Sequence, residues 1–282
     1  MDWLAELLPT IVAVATLASL AVAVLSVAQV PRATAPIRAI LRGALQLAAL
    51  SVVLSGIIAN PVWVALGLVI MFFAAVLTAS RRIAANSIHA SNIHTSSIQT
   101  STIQTGSISA NHQQVVSVAI AMLTGNIVVL VIVFATGAIE FSPRYALAIG
   151  GIVIGNTMSI ASLSGRGFHT SVRDHWDEVE GWLALGARPI ESTRQLARTA
   201  IYSALVPTID QTRTTGIVVL PGAFVGAIFG GASPLEAGRF QIVVLAGILA
   251  AGTLTSVILL RLIGAVALKP EAETFGRRGT VD

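Results

Sequence analysis

The sequence predicts an all-α polytopic membrane protein with about seven transmembrane helices. Of its 282 residues, 55% are hydrophobic and only 11% are charged, a balance typical of membrane proteins. The mean hydropathy of the whole chain is +0.84. The apolar residues also form runs of about twenty, and each run is long enough to cross about 30 Å of hydrocarbon as a helix.

Seven such runs follow one another along the chain. Their predicted limits are residues 7–27, 39–59, 62–79, 115–138, 146–164, 214–230 and 240–267. We expect the first run to remain as a span rather than to be cleaved as a signal peptide, because Asp2 and Glu6 stand at its start where a signal peptide has positive residues.

The positive residues predict the orientation of these spans. With the N-terminus outside and the C-terminus inside, fifteen of the 17 Lys and Arg residues are cytoplasmic, and only Arg144 and Arg239 lie outside. Positive charge strongly favours the cytoplasmic side. The predicted segments are spans one to three (1–82), a cytoplasmic insertion (83–112), spans four and five (113–164), a cytoplasmic loop (165–213), spans six and seven (214–268) and a cytoplasmic tail (269–282). Topology also explains the net charge of +4, so we expect the lipid bilayer, and no nucleic acid, as a partner.

The segment 83–112 carries an isoleucine at every fifth position. These residues are Ile83, Ile88, Ile93, Ile98, Ile103 and Ile108. A period of five gives neither a helical stripe nor a strand face, but it matches a pentapeptide-repeat β-coil. Because six repeats make a very short coil, the segment is expected to form either a β-coil propped against a neighbour or a partly disordered loop. His89 and His94 are candidate metal ligands, and a polar ladder on the coil surface is the alternative.

The loop 165–213 predicts a helical hairpin at the cytoplasmic surface. Val172, Trp176, Val179 and Leu183 recur at steps of four, three and four, which gives a helix one apolar face. Gly186 suits the left-handed residue that ends a helix, and a proline three residues later suits the first turn of the next. Spacing alone leaves two interpretations open: the hairpin packs on its own protein, or it docks on a second one.

Several motifs carry a resemblance to a known family. They are "RGALQL" (42–47), "GIVIGNTM" (151–158), "LALGA" (183–187), "ALVPTID" (204–210), "GIVVLPG" (216–222) and "FQI" (240–242). In order and spelling they resemble the FetB family, membrane subunits of bacterial iron-export ABC transporters related to aluminium-tolerance half-transporters of plants. The loop also partly matches the E-A-A-x-x-x-G pattern of ABC permeases through Glu180 and Gly186, although Gly181 and Trp182 replace the two alanines.

The resemblance implies a permease of the bacterial inner membrane that exports a metal ion, iron first. A separate ATP-binding-cassette ATPase subunit would hydrolyse ATP, this chain would bind no cofactor, and two copies of it would share one complex. The residues implied to contact the ATPase are Trp176, Val179, Glu180, Trp182, Leu183, Gly186 and Ala187. Ala223 and Phe224 replace a methionine pair of the family, which weakens the case for iron. The alternatives are a permease for another cargo, or a secondary transporter or channel that needs no ATPase.

Polar residues inside the predicted spans are candidates for a translocation pathway, because an unpaired polar group in hydrocarbon is costly. The polar candidates are Gln46, Asn126, Asn156, Asp210 and Gln241. Met158, from the motifs above, is a further candidate. Pro221 and Gly222 are also candidates, because the proline is expected to bend or break the sixth span. The alternative for the amides is a hydrogen bond between helices. For Asp210 it is a salt bridge with Arg213.

No catalytic motif is visible in the sequence. The single lysine, Lys269, lies outside any phosphate-binding loop, and no H-E-x-x-H or G-x-S-x-G motif occurs. The chain also has no cysteine, which excludes a thiolate metal site. We therefore expect a chain that is not itself an enzyme.

Overall fold

A computed structural model describes residues 2–29, 33–57, 61–88 and 103–267, and the regular structure in these ranges is helical. Its helices are α1 (Asp2–Val27), α2 (Ala35–Ile57), α3 (Pro61–Ile88), α4 (Ile103–Ala135), α5 (Pro143–Asp174), α6 (Trp176–Ala184), α7 (Pro189–Ser192), α8 (Arg194–Thr214), α9 (Gly222–Phe229) and α10 (Pro234–Ile263). In the same ranges the only β pairing is an isolated bridge between Thr215 and Val219. The predicted α-helical class is therefore confirmed.

The chain divides into two compact units, Met1–Asn60 and Pro61–Asp282. The first unit contains α1 and α2, which contact each other. The second contains the other helices, and its centre is formed by α3, α4, α5 and α10, whose buried residues make two apolar clusters. The functional features described below, apart from Gln46, belong to the second unit.

Glycines let the helices of the second unit pack closely. A Cβ at Gly125 of α4 would lie 2.6 Å from both the carbonyl oxygen of Ala251 and Oγ1 of Thr255 in α10. At Gly165 of α5 a Cβ would lie 2.7 Å from the side chain of Ile83 in α3. Real Cβ atoms do not approach other atoms this closely, so a larger residue at Gly125 would have to shift α4 against the backbone of α10, and one at Gly165 would have to displace the Ile83 side chain.

Helix α8 lies lengthwise against α5 and α10 and runs antiparallel to both. Its start is beside the end of α10, where Oγ1 of Thr193 donates a hydrogen bond of 2.6 Å to the carbonyl oxygen of Gly264. Further along, Leu205 lies beside Gly252 in the middle of α10 and belongs to a buried cluster with Ile160 of α5. The second half of the predicted 165–213 loop is therefore part of the helix bundle rather than a hairpin separate from it.

Five helices of the described residues are long and apolar enough to span a membrane. Their limits are Pro9–Val27, Pro61–Ala84, His112–Ala135, Pro143–Asp174 and Pro234–Ile263. They match the first, third, fourth, fifth and seventh predicted runs, while the second run coincides with α2 up to Ile57. The sixth predicted span, 214–230, is wrong as a continuous helix. It consists of a turn, in which Gly216 has a φ of 87°, followed by the eight residues of α9, which extend only about 12 Å.

The described ends of the isoleucine repeat are helical, which contradicts a β-coil there. Ile83 and Ile88 lie in α3, and Ile103 and Ile108 lie in α4. Ile83 is fully buried against the bundle, so its role in helix packing overrides the period of five. Residues 89–102, with Ile93, Ile98, His89 and His94, lie outside the described residues, as do residues 268–282 at the end of the chain.

We predict that Gly125→Ala destabilises the protein, whereas Gly155→Ala does not. The added methyl at 125 overlaps the backbone of α10, and overpacking of this kind costs about 1–3 kcal/mol. A methyl at Gly155 meets nothing within 4 Å, and alanine is the better helix former. Thermal unfolding of both variants in the same detergent tests this, and an equal Tm for the two would contradict the proposed α4–α10 contact.

Candidate functional site

The apolar face of α6 is directed at the chain's own core. Val179 is fully buried and belongs to one cluster with Phe168, Val172 and Leu196, while Trp176 and Leu183 are partly buried against that cluster. The helix also begins later than the spacing predicts, because α5 continues to Asp174 and carries Val172 with it. The expectation that Trp176, Val179 and Leu183 insert into a partner's groove is thus wrong for this face. Self-packing, the other interpretation, is what the structure shows.

The end of α6 and the turn after it carry exposed side chains. Trp182 is 52% exposed and Leu185 is 84% exposed, and Glu180 and Gly186 are exposed beside them. Large apolar side chains exposed next to each other mark a surface for contact with another molecule. Of the residues predicted to contact an ATPase, Glu180, Trp182 and Gly186 therefore remain available, and Leu185 joins them.

Backbone hydrogen bonds fix the shape of this exposed turn. Gly186 has a φ of 86°, its N–H donates to the carbonyl of Leu183, and the N–H of Ala187 donates to the carbonyl of Trp182, both at 3.0 Å. This pair of bonds is the Schellman motif, which needs a left-handed residue at the position of the glycine. Pro189 then opens α7. The predicted helix end and the predicted helix start are both confirmed.

The turn is also tied to the end of α10. Ser192 and Thr193 are buried, and the bond from Thr193 to Gly264 joins residues that are 71 apart in the chain. The Thr193 bond connects the segment after Gly186 to α10. The Val179 cluster connects α6 to α5. A displacement of the surface would therefore be passed to α5 and α10.

Several predicted pathway residues form hydrogen bonds inside the bundle instead of facing open space. Nδ2 of Asn126 donates to Oγ1 of Thr157 in α5 at 3.1 Å, and Nδ2 of Asn156 donates to the carbonyl of Ile152 at 2.8 Å. For Asn126 the alternative of a bond between helices is confirmed. Gln241 is only 6% exposed, and its Oε1 has no partner within the described residues. Met158 packs partly buried against the core.

Asp210 lies on α8 and pairs with Arg213, at 3.6 Å between Oδ1 and Nη1, with both side chains exposed. The predicted salt bridge is confirmed. Ile160 of α5 packs near Ala204 and Ile209 of α8, so the antiparallel register places Asp210 at about the level of Asn156, one turn earlier in α5. Gln46 is exposed on α2, and Pro221 and Gly222 stand at the start of α9.

Sequence reasoning missed a polar stripe along α8. Its polar members are Gln195, Thr199, Tyr202, Ser203, Asp210 and Arg213, which are all exposed and fall within about 100° of one another around a helix of 3.6 residues per turn. The half-buried Val206 lies among them, and the buried Ala200 and Ala204 lie on the other side of the helix. The 3.6-residue period in this segment is the signal that could have revealed a two-faced helix within the bundle.

The described residues hold no group of three or more His, Asp or Glu side chains that could bind a metal ion. The candidate ligands His89 and His94 stand outside the ranges covered. A cation passing along α8 would therefore meet the carboxylate of Asp210 and neutral oxygens of the stripe, which are ligands that hard cations accept.

Five apolar helices long enough to cross a membrane, four of which pack closely together in the second unit, define a multi-pass α-helical membrane protein. Comparison with known proteins then identifies the family. The family described as "Uncharacterised protein family (UPF0014)" matches residues 8–115 and 107–266, and the chain belongs to it. The two matched segments overlap over residues 107–115, and the first of them includes the whole isoleucine repeat.

Three relatives illustrate the family. The chain is 37% identical over 140 residues to "UPF0014 membrane protein STAR2" of Oryza sativa subsp. japonica, covering 50% of this chain and 49% of that protein. It is 35% identical over 138 residues to "Protein ALUMINUM SENSITIVE 3" of Arabidopsis thaliana, covering 49% and 50%. It is 34% identical over 143 residues to "Probable iron export permease protein FetB" of Escherichia coli (strain K12), covering 51% and 55%. The matches thus span about half the length of each relative. No solved structure matches the chain.

We predict that Thr193→Val lowers stability and Thr199→Val does not. The first substitution removes the buried bond to Gly264, which is worth about 1 kcal/mol. Thr199 is exposed and bonds only to Gln195 of its own helix, so it is a matched control. Thermal unfolding in detergent measures the difference, expected at about 2–4 °C in Tm. If both variants melt together, the Thr193 bond does not hold the turn to α10.

Proposed function

We propose that the chain is the membrane permease subunit of an ABC transporter, and that it exports a metal ion with energy from a separate ATPase subunit. The observation that carries this proposal is the exposed surface of Trp182 and Leu185, which is shaped by the Gly186 turn and joined to the bundle. A transporter that needs no ATPase has no use for such a surface. Iron is the first candidate cargo, because a relative is named as a probable iron export permease.

In this mechanism the ATPase subunit binds the exposed side of α6. ATP-driven closure of the ATPases moves α6, and the Val179 cluster and the Thr193 bond transfer the movement to α5, α8 and α10. Packed helix interfaces adopt a few discrete arrangements instead of deforming continuously. A small displacement of α6 is therefore enough to switch the bundle from one arrangement to another. The direction of transport follows from the relative's name and from nothing in the geometry.

The polar stripe of α8 supplies the surface for the cargo. A polar stripe within a membrane bundle must face water or another polar surface, since exposure to hydrocarbon is unfavourable. None of the described residues of the second unit covers it, so we propose that a second copy of the chain faces it and that the pathway lies between the two. The carboxylate of Asp210 would attract the cation, and the hydroxyl groups of the stripe would replace part of its hydration.

This arrangement keeps the N-out, C-in orientation in the inner membrane. Helix α8 takes the place of the predicted sixth span, because it runs from the end of α10 toward the α9 end of the bundle. Only Arg213 changes sides as a result, which leaves fourteen of the 17 Lys and Arg residues on the cytoplasmic side. The positive-inside rule therefore still supports it.

We predict that Trp182→Ala combined with Leu185→Ala prevents the ATPase subunit from co-purifying with the permease. Trp is enriched among the interface residues whose truncation costs about 2 kcal/mol or more, so a loss of more than tenfold in affinity is expected. Leu235→Ala is the control, because Leu235 is 76% exposed but lies at the start of α10. Transport by the purified chain alone in liposomes, without any ATPase, would refute the proposal and favour a secondary transporter.

We predict that Asp210→Asn reduces metal efflux while leaving the fold intact. An exposed ion pair contributes at most about 1 kcal/mol to stability, so Tm should change little. Arg213→Gln separates the two roles of Asp210: efflux is retained if the carboxylate acts on the cation, and lost if only the salt bridge matters. Tolerance of cells to iron, manganese and aluminium, with an organic toxin as a control, identifies the cargo in the same assay.

A further inference from the structure

A pocket of about 250 Å³ lies between the first turns of α8 and the last turns of α10. Its lining combines two kinds of side chain. Three are arginines, Arg194, Arg198 and Arg261, and most of the rest are apolar, including Ile201 and Val257. Neither the coupling of α6 nor the polar stripe of α8 accounts for this combination.

The three guanidinium groups have no carboxylate partner in the described part of the chain. The ion pairs there are Arg173 with Asp174 and Arg213 with Asp210. Glu191 is the nearest acid along the chain, and its Oε2 instead accepts a hydrogen bond from the backbone N–H of Arg188. Three positive charges around one cavity repel each other, and a bound anion would remove that repulsion.

The deepest part of the lining is apolar. Thr193 of α8 is level with Gly264 of α10, and Leu205 is level with Gly252. The arginines therefore lie toward the helix ends, and Ile201 and Val257 lie deeper in the bundle. This is the order of a phospholipid, whose phosphate stays at the membrane surface while its acyl chains enter the hydrocarbon.

We propose that this pocket binds the phosphate group of an anionic phospholipid, with an acyl chain along Ile201 and Val257. Arginine suits such a site, because its planar fork of donors matches the oxygens of a phosphate. The lipid would contact α8 and α10 next to the Thr193 bond, and so would hold the two helix ends together. The proposal goes beyond the transport function and does not depend on the cargo.

The test compares lipid binding by the purified full-length chain and by an Arg198→Gln/Arg261→Gln variant, using native mass spectrometry in detergent. Phosphatidylglycerol is the probe, phosphatidylcholine is the neutral lipid, and inorganic phosphate is the free anion. Each arginine near a membrane surface changes the affinity for an anionic lipid about fivefold, so the variant should bind phosphatidylglycerol about 25-fold more weakly. Arg144→Gln, which removes one exposed charge at the start of α5, should bind it as the wild type does.

Two further arms separate the possible occupants. Arg198→Lys keeps the charge but removes the planar fork, so intermediate binding supports the site even if the double variant folds poorly. Equal binding of phosphatidylglycerol by the wild type and the folded double variant would overturn the proposal. Binding of inorganic phosphate with the same affinity as phosphatidylglycerol would also overturn it.

Discussion

Burial of Val179 beside Phe168 and Val172 is the contact on which the arrangement of α6 depends. An isolated helix of nine residues is not stable in water, since helices shorter than about 12–15 residues are marginal even with good helix formers. Full burial of one Val or Phe side chain contributes about 1.5–3 kcal/mol. Packing therefore creates α6 and at the same time decides which of its sides remains exposed. The surface of Trp182 and Leu185 exists because the other side is occupied.

Two kinds of polar residue occur in the second unit, and they differ in how their hydrogen bonds are satisfied. Hydroxyl groups in the core, such as those of Ser80, Thr157 and Ser164, donate to carbonyls one turn earlier in their own helices. They can lie in an apolar interior at little cost. The stripe on α8 differs in its exposure: Thr199 donates to the carbonyl of Gln195 and Asp210 pairs with Arg213, but these side chains lie outside the apolar core. This contrast makes α8, and not the polar core, the better candidate for a surface that meets cargo.

Features encoded by one helix or one turn could be predicted from the sequence, and features that depend on contacts between helices could not. Gly186 and Pro189 act locally, so the end of α6 and the start of α7 were predictable. The five apolar spans were predictable because hydropathy is additive along a helix. The second helix of the 165–213 loop was predicted, but the place of α8 in the bundle was missed because its mean hydropathy averages a polar and an apolar side. The apolar face of α6 indicated that it is buried, but not which surface buries it. The period of five predicted a β-coil at Ile83, whereas Ile83 lies in a helix and packs against Gly165.

The hydrogen bond between Thr193 and Gly264 has a consequence for the order of biosynthesis. Ribosomes make the chain from its N-terminus, so the α6 turn is complete while the acceptor for Thr193 has still to be translated. The turn can reach its final position only after α10 has been synthesised and inserted. In a nascent chain that lacks α10, the surface of Trp182 and Leu185 would thus lack the bond between Thr193 and Gly264. Assembly with a partner through that surface would begin only once the whole bundle is in the membrane.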